Sequence, residues 1–273
     1  MSVNGGPPTD LCSNVADFLD PSVFVAVIAD RRFAAAVAIA LLSGAARGFS
    51  GFGSAMIYIP LMAALYEPRI AAATLVLIDF VCALPLAVRA VPHCSWREVI
   101  PISLAAAVAV PVGTVALLVA DPVMLRWMIA AVVMALLAVL ASGWRYHGRP
   151  RVPATIGVGL VSGLGSGAVQ IAGPPVIIYW LGGAGRAAIV RANLMVYFTF
   201  IDAIGCVAYL MKGLFTPEAA ALALLLGPPF ILAMVAGARW FRGASDLTFR
   251  RVAYAVIAVS ALISLPVFDR LLR

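Results

Sequence analysis

Arg47 stands inside a glycine-rich stretch, Gly44-Ala-Ala-Arg-Gly-Phe-Ser-Gly-Phe-Gly-Ser54. The planar fork of a guanidinium suits an oxyanion head. Ser50 and Ser54 can donate hydrogen bonds to the same oxygens, and Gly48, Gly51 and Gly53 leave backbone uncovered for close approach. A second stretch, Gly163-Leu-Gly-Ser-Gly-Ala-Val-Gln-Ile-Ala-Gly173-Pro-Pro, offers Ser166 and Gln170 beside Gly167 and Gly173. At an offset of about 119 residues Gly44 falls on Gly163, Gly48 on Gly167 and Ser54 on Gly173. The chemistry is capture of an anion by backbone N–H groups, hydroxyls and one guanidinium. Two plainer readings stand beside it: the glycines serve close helix packing, and Arg47 snorkels to a membrane edge.

Asp79 and Asp202 are the carboxylates set deep in apolar runs. A buried carboxylate can carry a coupling proton, or it can brace an arginine. Thr74 and Asn193 align at the same offset and are candidate polar liners, with helix–helix hydrogen bonding as the alternative. His93-Cys94 gives two potential ligands in one loop, too few for a metal site, and the four cysteines lack paired spacing. No nucleophile triad, His-Glu-x-x-His or nucleotide-binding loop is present, so neither an enzyme nor a cofactor is expected.

The composition dictates what positions these residues. Only 11% of the 273 residues are charged and mean hydropathy is +1.06, whereas a soluble domain needs roughly a quarter of its residues charged. The surface must be covered by lipid. The fold class is all-α: a polytopic transmembrane protein. Its net charge of +7 resides in short gaps between apolar runs, which fits anchoring to headgroups and gives no patch for nucleic acid. Residues 1–32 read as a polar and interfacial lead-in, without the features of a cleaved signal peptide.

Apolar segments follow at 33–47, 52–66, 70–89, 99–120 and 122–143, and again at 155–169, 174–181, 191–210, 217–240 and 247–267. An odd number per half forces the two halves into opposite orientations, an inverted repeat whose breaks mark a transport site. The halves span 33–143 and 153–273, joined by the basic loop 144–152. Eleven arginines fall on the side of that loop and seven basic residues on the other. The loop is therefore expected in the cytoplasm and both termini outside.

The duplicated Gly44-x-x-x-Gly-Phe-Ser-Gly-Phe-Gly-Ser and Gly163-x-x-x-Gly167 with Gly173-Pro-Pro, together with chain length and the basic mid-loop, resemble the sulfite exporter TauE/SafE family. The resemblance implies movement of small anions: sulfite, sulfonates or related organic acids. With no nucleotide-binding domain in the sequence, the expected function is a gradient-driven carrier in a bacterial inner membrane that binds the anion between the two breaks. A channel-like anion pore and a non-transporting membrane scaffold are the alternatives, and a homo-oligomer is left open.

Overall fold

A computed structural model describes residues 20–50, 53–142, 152–181, 187–240, 246–263 and 265. Eleven α-helices and no strands occur among them: α1 (Pro21–Ala29), α2 (Phe33–Ser50), α3 (Ser54–Leu65), α4 (Pro68–Ala90), α5 (Trp96–Val119), α6 (Pro122–Ala141), α7 (Val152–Val169), α8 (Gly173–Leu181), α9 (Ala187–Met211), α10 (Pro217–Trp240) and α11 (Asp246–Ile263). Four of them, α1, α4, α6 and α10, begin on proline, whose missing N–H costs nothing in a first turn. Six helices are long and apolar enough to cross a bilayer. Val108, Val119 and Leu232 turn large apolar side chains outward, as lipid contact permits. The chain is an integral membrane protein.

The described part of the lead-in, residues 20–32, makes its polar contacts through charged side chains. Asp20 accepts a hydrogen bond from the Ser22 amide at 2.9 Å and caps α1. Arg32 pairs with Asp30 at 2.7 Å and lies over the Tyr66 ring at 4.6 Å. Hydrogen bonds from the Arg32 side chain and amide hold the Asp30 carboxyl below its usual range.

The glycine-rich stretches behave differently from the expectation that the first break begins near Arg47. Helix α2 runs through Gly44, Arg47 and Gly48 to Ser50, and α7 runs through Gly163 and Gly167 to Val169. A helix keeps its own backbone bonds in an apolar setting, so glycine alone does not stop it. The interruptions are confined to the short links before α3 and α8. At 1.5 Å per residue the nine residues of α8 reach only about 14 Å and the twelve of α3 about 18 Å. Neither spans a membrane by itself.

Gly44 and Gly48 of α2 and Gly163 and Gly167 of α7 let neighbouring helices approach closely. A side chain on Gly44 or Gly48 would enter the backbone of α10 at Phe230 and Met234, and one on Gly163 or Gly167 would enter α5 at Ala106 and Val110. Gly237 of α10 and Gly113 of α5 return the contact, against α2 and α7 respectively. These two pairings, α2 with α10 and α5 with α7, are the most extensive between helices. Each joins one half of the sequence to the other. Several further contacts follow the same exchange: α4 on α10 answers α9 on α5, α3 on α11 answers α6 on α8, and α4 meets α9 as α6 meets α11. The two five-helix halves interlock.

Candidate functional site

The interlock brings α2, α3, α4 and α9 to one place. Arg47, in the last turn of α2, donates from Nη1 to Asp79 Oδ2 of α4 at 2.6 Å and to Ser54 Oγ of α3 at 3.2 Å. Gly53 makes the tight entry to α3 with φ +96°, a left-handed conformation that suits glycine. It provides no side-chain cap, so among the described residues no side chain caps the first amides of α3, which begin at Ser54 beside the guanidinium. Ser54 is buried, and Arg47 retains 14% side-chain exposure. Arg47 is thus part-buried and paired with Asp79.

Helix α9 supplies Asp202. The crossing point with α4 is marked by Gly205, where a side chain would press on Val76 at 3.3 Å. Asp79 lies three residues after Val76 and Asp202 three residues before Gly205, the count that brings two residues of antiparallel helices to one level. Asp202 accordingly interacts with both Asp79 and Arg47. Sequence alignment of the halves misses this correspondence because the two aspartates are offset by one helical turn.

The second break contributes Gln170, which has a left-handed backbone at φ +56°. A non-glycine residue held there costs about 1–3 kcal/mol, a strain that gathers at functional sites. Its side chain is buried beside Gly205 and engages the Tyr209 hydroxyl. Tyr209 lies next to it and donates to the Gly167 carbonyl at 2.8 Å. Asp79 Oδ1 is a buried atom of this region with no hydrogen-bond partner among the described residues. A carboxylate oxygen of the ion pair left open in this way is what a site able to take a ligand presents.

Other expected residues hold hydrogen bonds outside the Arg47 cluster. Thr74 accepts from Tyr58 at 3.0 Å and bonds back to the Ile70 carbonyl at 2.8 Å. Asn193 accepts from the Ser95 amide at 2.7 Å and donates to Glu98 at 2.9 Å, closing the start of α5. Both are helix–helix fastenings. Ser166 is buried, and its carbonyl accepts from the Gln170 amide at 2.9 Å. Gly173 is uncrowded, with 3.4 Å to the nearest side chain. Pro174 and Pro175 follow it in the first turn of α8 and carry no N–H, so α8 offers fewer donors than α3. The Ser50 side chain and Gly51 lie outside the described residues, as does nearly all of the loop 144–152.

A cavity of about 370 Å³ opens beside Arg47. Gly48, Leu86, Met195, Phe198 and Met234 contribute to its walls, and Arg191 and Arg239 line it as well. Both of these arginines are exposed and form no ion pair among the described residues. Sequence reasoning counted them only as loop charges. Their signal was position: each sits within a few residues of the end of a long apolar helix.

A polytopic helical membrane protein whose buried centre holds an arginine, two carboxylates and an adjoining basic cavity belongs to the class of transporters rather than enzymes. The sequence profile of the sulfite exporter TauE/SafE family matches residues 36–263. The chain belongs to that family, and transport across a membrane is its general function. No curated protein and no solved structure matched the chain.

Proposed function

We propose that the protein is a secondary carrier of small anions such as sulfite, sulfonates or related organic acids, working by alternating access in a bacterial inner membrane. The observation that carries this reading is the position of Arg47. It lies between an open basic cavity and a buried carboxylate with an unpartnered oxygen. The anion engages the Arg47 guanidinium, Ser54 Oγ and the first amides of α3, with the Gln170 amide from the second half closing the site. The two repeats, 33–143 and 153–273, rock about this centre in inverted orientation. Arg191 and Arg239 belong to the more basic side, which the charge distribution assigns to the cytoplasm together with residues 144–151.

Counterflow in proteoliposomes loaded with sulfite or ethanesulfonate tests the reading. Saturable exchange of external label against internal anion is expected. Flux without saturation or counterflow would show a pore, and no flux of either anion would remove the transport reading. Arg191 and Arg239 act before the site by concentrating anions at the cavity. The double variant Arg191→Gln/Arg239→Gln is expected to raise KM from that face about tenfold with little change in maximum rate. Initial rates at low and high salt check this, because the wild-type advantage should shrink as salt screens the mouth.

A further inference from the structure

We propose that each anion bound at Arg47 crosses together with one proton, which Asp79 takes up when the anion displaces it from the guanidinium. This rests on the anion-carrier reading above and adds the coupling ion and its stoichiometry.

The argument is a charge count within one buried cluster. Arg47 supplies one positive charge; Asp79 and Asp202 could supply two negative ones. Both carboxylates are about nine-tenths buried. A net charge left unpaired at membrane depth is too costly to persist. Asp79 holds the guanidinium at 2.6 Å, whereas Asp202 has no ion-pair or hydrogen-bond partner among the described residues and only senses Arg47 and Asp79. The empty cluster is therefore neutral with Asp79 ionised and Asp202 protonated.

An arriving monoanion needs the same guanidinium. Once the anion takes Arg47, an ionised Asp79 would return the cluster to a net negative charge. Asp79 therefore accepts a proton delivered as hydronium from the aqueous phase: an O–H bond of hydronium breaks, one forms on a carboxylate oxygen, and water is left behind. The loaded cluster is again neutral: one guanidinium, one anion and two carboxylic acids. Released on the other side, anion and proton leave together and Asp79 pairs with Arg47 once more. Both crossings move no net charge.

The other titratable groups interacting with these carboxylates do not alter the count. They are Tyr58 from α3, Cys82 on α4, and Tyr197 and Cys206 on α9. Tyr58 and Tyr197 donate their hydroxyls to Thr74 and Ser162, as neutral phenols do. Helices α5, α6, α7 and α10, which also pack on α4 or α9, add no charged group that acts on either carboxylate among the described residues. Gln170 is a neutral donor.

The test uses the full chain in proteoliposomes with ethanesulfonate, whose charge does not change with pH, and with sulfite beside it. The wild type is expected to take up one proton per ethanesulfonate, read by an entrapped pH dye, and to be indifferent to a valinomycin-imposed potential. Asp79 is deprotonated in the empty state and protonated in the loaded one, so acidification favours binding. Apparent affinity should improve up to about tenfold per pH unit. Asp79→Asn should lose that slope and make exchange carry charge. Asp202→Asn fixes the neutral form assumed here and should keep the one-proton slope. Net charge movement with each wild-type anion would overturn the proposal without recourse to any variant, as would an Asp79→Asn carrier that keeps the slope. Absence of exchange with both anions would instead strike the carrier reading itself.

Discussion

Arg47→Gln protein, reconstituted at wild-type density, is expected to lose saturable anion exchange by about a hundredfold or more, equivalent to ~2.7 kcal/mol. The size follows from what the side chain does. It is the one guanidinium bonded to both Ser54 and Asp79, and removing one partner of a buried charged contact costs about 2–5 kcal/mol. Part of that cost falls on the fold, because the substitution strands Asp79. The double variant Arg47→Gln/Asp79→Asn separates the two effects: it removes the stranded carboxylate and should recover thermal stability without recovering exchange. Arg47→Lys keeps the charge but not the fork, and should remain well below wild type. A double variant that exchanges anions at the normal rate would reduce Arg47 to a structural brace.

Gly167→Ala is the second large effect, and it should act on stability. The added methyl group would meet the Val110 carbonyl and the Thr114 amide of α5, both backbone groups that cannot rotate aside. The helices must separate, and overpacking of this kind costs about 1–3 kcal/mol, with the upper end expected for a backbone clash. Gly163→Ala faces Ala106 in the same way and should behave alike. Gly157, earlier on α7, has open space around it; Gly157→Ala should be neutral or stabilise by up to about 1 kcal/mol through helix propensity. Thermal unfolding in detergent checks all three. Equal midpoints would mean that the α5–α7 contact is looser than the glycine positions imply.

The sequence carried the class and the ten apolar segments that become α2 to α11. Proline at the first turn and unbroken apolar runs fix helices locally, without help from the rest of the chain. It did not carry the role of each glycine. Gly44 and Gly48 are spaced one turn apart, and that spacing suits a break or a packed helix equally. Only the arrival of α10, some 180 residues later, reveals the close packing that both glycines permit. The same limit hid the duty of Asn193: its partners Ser95 and Glu98 lie almost a hundred residues away. Arg47 and Asp79 were legible separately, as charges in apolar runs, but their pairing required α2 and α4 to meet. Asp202 was legible as an oddity, and its level with Asp79 was not, because the repeat has slipped by one turn there.

The exchange of partners between the halves has a consequence for how the chain is made. Helix α2 leaves the ribosome long before its mate α10, which is complete only at Trp240. At about 5–20 residues per second the interval is roughly ten to forty seconds. Throughout it the grooved faces of Gly44 and Gly48 are open to lipid or to any passing helix. Helix α5, by contrast, gains α7 within a few seconds of its own synthesis. Assembly is thus ordered in time: the α5–α7 seam can close early, while the seam beside Arg47 must wait for nearly the whole polypeptide. A chain truncated before α10 would retain its apolar spans and its arginine but lack the wall that holds the arginine in place.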